Sequence, residues 1–260
     1  MDKVKDIVKN DSGVNETNKV TGHLHPITSF VRQAVSIFEE LGFSFADGPE
    51  LEQEFYNFDA LNIPKDHPSR DMQDTFWIKT PDSKHVNLDI GKSERKVLRT
   101  QTSAVQVRYL EKNKENLPCA IIVPGKVYRN EATDATHEAQ FYQLEALYVN
   151  KDVSLSNLKS TIEHFFKRLY GNDVEICFRP SFFPFVEPGV EVIMKFNGKW
   201  LEMGGAGIVH PNVLKSVGID PTIWSGFAFG LGIDRLVMRK YGITDIRLLY
   251  NGDLRFINQF

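Results

Sequence analysis

Apolar residues recur every three to four positions in two long stretches of the chain, which is the spacing of an amphipathic helix. The first stretch stops at Gly42, and the second opens at Ser154, a residue type that caps helices, and closes at Gly171. Two shorter helices are predicted as well, and Thr102 or Ser103 can cap the first of them. Together the predicted helices cover residues 28–41, Thr102 or Ser103 to Leu110, 154–170 and 233–241.

Strand-like runs lie between these helices and are joined mainly by hairpins. Asn197-Gly198 is the strongest hairpin signal, because this pair adopts the tight turn that joins two antiparallel strands. The chain shows neither an internal repeat nor a regular alternation of strand and helix. The pattern therefore predicts an α+β fold in which helices pack on a largely antiparallel sheet. The predicted strands lie near residues 43–46, 119–130, 138–149, 173–179, 189–196, 199–204 and 227–230.

Three polar segments interrupt this pattern. Residues 1–20 are polar and aperiodic, so they are predicted to form a disordered or frayed arm in front of a single domain over residues 21–260. Residues 59–74 are rich in Pro, Asp and His and predict an ordered surface loop. The Lys-rich stretch 79–96 predicts a variable loop.

Composition mainly excludes several classes of protein. Of the 260 residues, 42% are hydrophobic, and no apolar run approaches the roughly 18 residues of a membrane span. The N-terminus lacks a signal or transit pattern, so a cytoplasmic location is expected. Cys119 and Cys177 lack the spacing of a metal site, which argues against zinc or a disulfide scaffold. The net charge of −3 means that any contact with nucleic acid must be local or supplied by a partner.

The strand over residues 141–149 carries the most chemical information. Side chains alternate between the two faces of a strand, so Phe141, Gln143 and Glu145 share one face. That face could stack a planar ring and hold an ammonium group, or it could be a solvated outer face. The other face is apolar enough for the core and comprises Tyr142, Leu144, Ala146 and Tyr148.

One arginine stands close to this strand, and a second follows a glycine-rich segment. Arg129 precedes the strand and is either a surface ion-pair partner of little energy or a clamp for an anion such as a phosphate. Arg235 follows Gly226-Phe-Ala-Phe-Gly230-Leu-Gly232, where glycines could let a ligand approach the backbone. This spacing fits neither the dinucleotide-binding motif nor the P-loop.

Phenylalanine rings crowd the segment over residues 178–189. Pro184 and Pro188 make this segment a rigid loop rather than a helix. Exposing several rings to water costs free energy, so they pack either against the core, which composition favours, or around a ligand.

Taken together, these stretches resemble the catalytic α subunits of bacterial phenylalanyl-tRNA synthetases, a family of class II aminoacyl-tRNA synthetases. The resemblance runs from about His25 to Phe260, and its motifs occur in the same order. The matching motifs are His25-Pro-Ile27, Gly48-Pro-Glu50, Asn57-Phe-Asp-Ala-Leu61, Asp74-Thr-Phe-Trp77, Leu98-Arg-Thr-Gln-Thr-Ser103, Arg129-Asn-Glu-Ala-Thr-Asp-Ala-Thr-His137, Phe183-Pro-Phe185, Gly204-Gly-Ala-Gly-Ile-Val-His-Pro211, Gly226-Phe-Ala-Phe-Gly230 and Gly232-Ile-Asp-Arg235.

The resemblance implies a class II catalytic domain over residues 21–260, with an antiparallel sheet of six to seven strands flanked by helices. It implies that L-phenylalanine and ATP form phenylalanyl-adenylate and pyrophosphate, and that the phenylalanyl group then moves to tRNA(Phe). It also implies Mg²⁺ as a cofactor and a β-subunit partner in an (αβ)₂ heterotetramer.

The resemblance further implies roles for individual residues. Arg129 and Arg235 are the implied catalytic residues, with Arg129 bridging the substrate carboxylate and the α-phosphate of ATP, and Arg235 binding the γ-phosphate. ATP is also implied to contact Glu131 and His137, and its adenine to stack on Phe141. The implied phenylalanine-binding residues are Gln143 and Glu145 for the ammonium group, with Trp77, Gln101 and Ser103 nearby, and Phe183, Phe185 and Ala228 for the ring. The implied Mg²⁺ ligands are Glu187, at the boundary with the β subunit, and Glu202, for the metal on ATP.

The N-terminus departs from the family pattern. Family α subunits usually begin with a long helical coiled-coil arm that contacts tRNA, whereas only about 20 polar residues precede the catalytic domain here. Two alternatives therefore stay open beside the ligase. One is a non-aminoacylating paralogue that binds phenylalanine or its adenylate, and the other is a ligase whose acceptor is not tRNA. The presence of both arginines and of the Gln143 and Glu145 pair favours the ligase.

Overall fold

The computed structural model describes residues 22–79, 95–196 and 198–260. This part of the chain contains ten strands and seven α-helices. The helices are α1 (Pro26–Glu40), α2 (Glu54–Asn57), α3 (Ser103–Asn113), α4 (Leu155–Tyr170), α5 (Pro211–Ser216), α6 (Ile233–Tyr241) and α7 (Leu254–Ile257). The strands are β1 (Ser44–Phe45), β2 (Leu51–Gln53), β3 (Trp77–Ile78), β4 (Lys96–Leu98), β5 (Cys119–Tyr128), β6 (Gln140–Asn150), β7 (Ile176–Pro180), β8 (Val186–Phe196), β9 (Lys199–Val209) and β10 (Ser225–Gly232).

Seven of these strands form the main sheet, in the order β1-β5-β6-β10-β9-β8-β7. β1 runs parallel to β5, and all other neighbours in this sheet are antiparallel. A smaller antiparallel sheet has the order β2-β4-β3. The predicted α+β fold is thus confirmed, with one parallel pair added to the predicted antiparallel sheet.

Local sequence signals set the ends of the two long helices. Pro26 begins α1, where a proline loses no helical hydrogen bond, and His25 Nδ1 accepts a backbone N–H of the first turn at 3.2 Å. α4 begins with a capping box between Ser154 and Asn157, in which each side chain accepts the backbone N–H of the other residue. It ends before Gly171, whose φ of +99° suits glycine.

The main sheet is packed on both faces. One cluster joins α1, α4 and α6 to the sheet, with the ring centroids of Phe38 and Phe165 4.9 Å apart. Another cluster packs α3 and α5 against the opposite face. β6 contributes to both, since Leu144 and Ala146 are buried in the first cluster and Leu147 in the second. The core face that the sequence predicts for β6 is confirmed.

Several features differ from the sequence predictions. β8 begins at Val186 and β9 continues to Val209, because the two strands pair along almost their whole length. The loop predicted over residues 178–189 is therefore reduced to the turn between β7 and β8. Helix α5 and the small sheet are not predicted from the sequence, because such short elements contain too few residues to establish a period.

The predicted N-terminal arm, residues 1–20, lies outside the described residues, as does most of the predicted loop over residues 79–96. Within the described ranges, no helix is long and apolar enough to cross a membrane. Cys119 and Cys177 are both free thiols.

Candidate active site

A cavity of about 640 Å³ opens on the face of the main sheet formed by β6, β9 and β10. Side chains from α6, from the segment before β6 and from the turn before β8 complete its wall. The face of β6 that carries Glu145 lines this cavity, so it is not a solvated outer face. All but two of the predicted site residues meet here. They are Gln101, Ser103, Arg129, Glu131, His137, Phe141, Gln143, Glu145, Phe183, Phe185, Glu202, Ala228 and Arg235.

The strands fix the order of chemical groups along the cavity. Phe141, Gln143 and Glu145 follow one another along β6, and alternate residues of a strand are about 7 Å apart. In β10, Ala228 lies one step beyond Glu145 on the same face, opposite residue 147. Arg129 lies at the other end, because its guanidinium carbon is 5.1 Å from the centroid of the Phe141 ring. The cavity therefore runs from a cation, past polar acceptors, to an apolar end.

Glu145 is a buried carboxylate that forms no ion pair with any described residue. Its oxygens accept hydrogen bonds from Thr102 Oγ1 at 3.0 Å, from Gln106 Nε2 at 2.7 Å and from the Ser103 hydroxyl. Burial raises the pKa of Glu145 to about 7, although these hydroxyl groups and the charge of Arg99 act in the opposite direction. A cation that enters the cavity would compensate this carboxylate.

Gln143 provides a second acceptor on the same face. Its Oε1 is buried and has no hydrogen-bond partner among the described residues, although buried polar atoms usually have one. Gly230 makes room for this side chain, since a Cβ at that position would lie 2.5 Å from Gln143 Nε2. This glycine therefore accommodates the Gln143 side chain. Gln143 Oε1 and the Glu145 carboxylate together suit an ammonium group.

Sequence reasoning missed two of the donors to Glu145. Thr102 stands at the N-cap position of α3, but its side chain makes no capping bond and donates to Glu145 instead, so its predicted capping role is wrong. Gln106 lies one helical turn after Ser103, so both side chains reach the same carboxylate. A polar residue at this spacing on a buried helix face is the signal that could have identified Gln106.

Two arginines at the opposite end of the cavity share a single ion pair with described residues, and that pair is long. Arg129 Nη1 is 3.9 Å from Glu131 Oε1, and Arg235 Nη1 donates to the Glu202 carbonyl at 3.0 Å. Burial lowers the pKa of Arg129, Glu131 partly offsets this effect, and the neighbouring charge of Arg235 lowers the pKa further. A pair of close cations of this kind favours a multiply charged anion.

The groups around Arg129 suit a planar ligand with hydrogen-bonding edges. Phe141 presents its ring to the cavity beneath the guanidinium group. His137 is half-exposed, and its Nδ1 lies 3.1 Å from a carboxylate oxygen of Asp134. Glu131 completes this part of the wall.

The apolar end is formed by rings from the turn before β8. Phe183 and Phe185 are stacked, with 6.0 Å between ring centroids. The Phe183 ring lies against Gly205, where a Cβ would be 2.8 Å from Phe183 Cζ. Ala228 is only 7% exposed and lies on the same wall. Phe183 and Phe185 therefore line the cavity on one side and pack against the second core cluster on the other, so both alternatives predicted for these rings apply to them.

The buried Asn57 holds residues 100–101, which join the two ends of the cavity. Asn57 Oδ1 accepts the Thr100 N–H at 3.1 Å, and the Asn57 carbonyl accepts from Gln101 Nε2 at 3.3 Å. The Thr100 carbonyl accepts from Arg129 Nε at 3.4 Å. Asn57 thus fixes Gln101 in the cavity wall and supports Arg129 through Thr100.

Trp77 and Glu187 are not part of the cavity wall. The Trp77 ring stacks on Phe58 with 6.0 Å between centroids, and its Nε1 donates to the Arg70 carbonyl at 3.2 Å; both partners also lie outside the cavity wall. Glu187 is exposed in β8, next to Pro188.

Comparisons with known proteins identify the family of the chain. The family described as tRNA synthetases class II core domain (F) matches residues 9–260. The phenylalanine–tRNA ligase alpha subunit of Proteus mirabilis is 52% identical over 240 residues, which cover 92% of this chain and 68% of that relative. The corresponding subunit of Edwardsiella ictaluri is 50% identical with the same coverage.

A solved structure extends the likeness to the fold. Pyrrolysyl-tRNA synthetase from Desulfitobacterium hafniense superposes with a TM-score of 0.67 at 16% identity, covering 86% of this chain and 73% of that one. At this identity the likeness concerns the fold alone. The family match and the 52% identity confirm the resemblance drawn from the motifs. The chain belongs to the class II aminoacyl-tRNA synthetases, in the family of phenylalanine–tRNA ligase α subunits.

Proposed function

We propose that this chain activates L-phenylalanine with ATP to form phenylalanyl-adenylate and pyrophosphate, and then transfers the phenylalanyl group to tRNA(Phe). The order of groups along the cavity carries this proposal. Cations lie at one end, acceptors without a cationic partner lie in the middle, and an aromatic wall lies at the other end. This order matches the carboxylate, ammonium group and ring of phenylalanine, with ATP beyond the carboxylate.

The amino acid would be bound through both its charge and its ring. In this proposal its ammonium group donates to the Glu145 carboxylate and to Gln143 Oε1, and thereby supplies the missing cation. Its ring packs against Phe183, Phe185 and Ala228, and each favourable aromatic pair adds about 0.5–1.5 kcal/mol beyond burial. Gln101 and Ser103 border the bound amino acid.

ATP would occupy the arginine end. Its adenine stacks on Phe141, with Glu131 and His137 at the edge of the base and ribose. Arg129 contacts the α-phosphate and the phenylalanine carboxylate together, and Arg235 contacts the γ-phosphate. Arg129 and Arg235 provide the positive charge that a triphosphate requires. Of the two, Arg129 makes one long ion pair, with Glu131, and Arg235 donates to a backbone carbonyl.

The reaction then needs positioning more than proton transfer. A carboxylate oxygen of phenylalanine attacks the α-phosphorus, the bond from this phosphorus to the bridging oxygen of the β-phosphate breaks, and pyrophosphate leaves. The attacking carboxylate is already ionised near pH 7, so no general base is required. Arg129 neutralises the charge that develops at the α-phosphate, and Arg235 stabilises the departing pyrophosphate.

Mg²⁺ fits this cavity as a metal that substrate phosphates help to hold. Among the described residues, no group of three or more His, Cys, Asp or Glu side chains could hold a metal ion. Protein-bound Mg²⁺ commonly uses only one or two carboxylates together with phosphate oxygens. Glu202 would be the carboxylate in the cavity, and the metal would neutralise phosphate charge there. Glu187 stays a candidate ligand for a separate Mg²⁺ at a contact with a β subunit.

The partners belong to the same proposal. The relatives are named alpha subunits, which supports a β-subunit partner for this chain. The assembly that we propose with this partner is an (αβ)₂ heterotetramer. The net charge of −3 suggests that much of the tRNA backbone is bound by the partner, because such binding requires many cationic contacts. A cytoplasmic location is proposed with this assembly.

Phenylalanine-dependent ATP–pyrophosphate exchange tests the proposal. The purified chain is assayed alone and with the β subunit of the same organism. Exchange in either preparation is expected, and a sharp rise with the β subunit would indicate a site completed by the partner. Charging of tRNA(Phe) by the complex tests the second step.

Matched arginine variants make the test specific to the cavity. Arg235→Gln is expected to lower exchange at least tenfold, because it removes a phosphate contact. Arg255→Gln removes an exposed arginine whose ion-pair partner among the described residues is Asp253, so exchange should be unchanged. Phenylalanine binding without exchange in either preparation would refute the ligase and support a paralogue that only binds phenylalanine.

A further inference from the structure

Asp234, the second residue of α6, is a buried carboxylate to which the proposed reaction gives no role. It is 2% exposed, belongs to the cavity wall and directly precedes Arg235. Its Oδ2 accepts the Tyr142 N–H at 2.6 Å, and its Oδ1 accepts the Tyr250 hydroxyl. One side chain thus joins α6, β6 and the turn that precedes Tyr250.

The bond to Tyr142 continues the pairing of β6 with β10 beyond the last strand pair. That pairing ends where Gly232 lies opposite Gln143, and α6 begins at the next residue. Gly232 is the N-cap of α6 and has no side chain with which to fix the first helical turn. Asp234 fixes that turn instead, and Arg235 is carried on it.

The turn over residues 246–250 is also connected to the ATP end of the cavity. The Ile246 N–H donates to the Ala135 carbonyl at 2.9 Å, within the segment that carries Glu131 and His137. Ile246 itself lines the cavity. Through Tyr250, Asp234 therefore connects α6 with this segment as well.

The charge of Asp234 has no cationic partner in the part of the chain that the structure describes. Burial raises its pKa to about 6, and Glu138 adds to this effect, while the bonds from Tyr250 and Tyr142 oppose it. A buried charge without a counter-ion costs free energy, and an apolar residue of similar size is often more stable at such a position. Stability alone therefore does not account for an aspartate here.

We infer that Asp234 is a positioning residue for adenylate formation, which holds the first turn of α6 against the start of β6 and so fixes Arg235 relative to Phe141. This inference rests on the proposed function, in which these two residues contact opposite ends of ATP. Without the carboxylate, the hydrogen bond that the Tyr142 N–H of β6 donates to α6 is lost. The γ-phosphate contact then moves relative to the adenine site, whereas Glu145, further along β6, keeps its own bonds from α3.

Four variants of the complex separate positioning from general destabilisation. Asp234→Ala removes both links. Asp234→Asn removes the charge but keeps both links, because its oxygen can accept the Tyr142 N–H and its amide can donate to the Tyr250 oxygen. Tyr250→Phe removes one link. Tyr170→Phe is the matched control, since the Tyr170 hydroxyl also bonds α6 but donates to the Leu236 carbonyl, at 2.8 Å, and not to Asp234.

The readouts are ATP–pyrophosphate exchange kinetics and amide hydrogen exchange. For Asp234→Ala we expect kcat/KM for ATP to fall tenfold to a hundredfold, mainly through KM, since small misplacements in a site cost up to this much. The KM for phenylalanine should stay within about twofold. Amide exchange should accelerate in peptides covering residues 140–146. Tyr250→Phe should fall between the wild type and Asp234→Ala, while Asp234→Asn should restore the KM for ATP to within about threefold of the wild type.

Three results would overturn the inference. The first is an unchanged KM for ATP in Asp234→Ala. The second is an equal loss of activity in Tyr170→Phe, which would indicate general loosening of α6. The third is an Asp234→Asn variant as impaired as Asp234→Ala. A wild-type complex without any exchange would instead refute the proposed function, so the two failures are distinguishable.

Discussion

Replacing Glu145 with glutamine removes the charge that the proposed function assigns to ammonium binding, while the size of the side chain stays almost the same. The glutamine oxygen can still accept from Ser103 and Gln106, which share one oxygen of the native carboxylate. Thr102 can accept from the new amide group, because a hydroxyl both donates and accepts. The variant therefore tests charge rather than packing.

The pKa of the native residue sets a magnitude for the pH dependence of phenylalanine binding. Burial raises the pKa of Glu145 to about 7. The carboxylate is then about 9% ionised at pH 6 and about 76% ionised at pH 7.5. If only the ionised form binds the ammonium group, the Kd for phenylalanine should be roughly eightfold higher at pH 6 than at pH 7.5. The Glu145→Gln variant should show almost no such change.

The same pKa makes the free energy of unfolding depend on pH with a defined sign. Because the folded-state pKa is raised above 4.5, the folded protein binds this proton more tightly than the unfolded chain. The contribution of Glu145 to stability is therefore full below about pH 4.5 and is lost as the pH rises through about 7. The loss is on the order of 3 kcal/mol, so Glu145→Gln should be more stable than the wild type at pH 8.

Two measurements on the same samples test this reasoning. Isothermal titration with phenylalanine at pH 6 and 7.5 gives the Kd, and urea unfolding at pH 5 and 8 gives the stability. At pH 7.5 the variant should bind phenylalanine about 10-fold to 150-fold more weakly, since it loses a charge-assisted interaction of about 1.5–3 kcal/mol. Equal pH dependence in wild type and variant, or a variant less stable than the wild type at pH 8, would refute the assignment of Glu145 as the buried, uncompensated anion.

Three other substitutions test the aromatic end and the core. Ala228→Gly should enlarge the ring pocket and admit para-halogenated phenylalanine in the exchange assay, and continued exclusion of that substrate would contradict the assignment. Gly205→Ala places a Cβ 2.8 Å from the Phe183 ring. The KM for phenylalanine should therefore rise roughly tenfold while the KM for ATP is unchanged. Equal changes in both KM values would argue against a local effect. Phe38→Ala removes a fully buried ring that contacts Phe43, Phe165 and Phe229, and should lower the free energy of unfolding by about 3–5 kcal/mol in urea titrations. A loss below about 1 kcal/mol would mean that this ring is not part of a close-packed core.

The sequence by itself predicts the features that depend on local periodicity. The alternation along β6 assigned Leu144 and Ala146 to the core and Phe141, Gln143 and Glu145 to the opposite face, and both assignments hold in the fold. Helices α1 and α4 were predicted within two residues at each end because proline, serine and glycine act directly on the backbone at helix ends. The ordered motifs also led to the family, and the matches at 50–52% identity confirm it.

Long-range contacts decide what the sequence left open. Whether the face of Phe141 is an outer face or lines a cavity depends on α6 and on the turn before β8, which lie far away in sequence. Local patterns favour Thr102 or Ser103 as a helix cap, but the Thr102 hydroxyl donates instead to a carboxylate 43 residues away.

Asp234 and Trp77 show the same limit of prediction from sequence. Nothing near Asp234 in sequence predicts its bonds to Tyr142 and Tyr250, which form only when β6 and the last turn pack against α6. The resemblance implies that Trp77 lies near the substrate, yet Trp77 stacks on Phe58 outside the cavity wall. Periodicity and capping act over a few residues and can be inferred from the chain. The partner of a buried polar group is set by the packing of distant segments, so only the tertiary structure decides it.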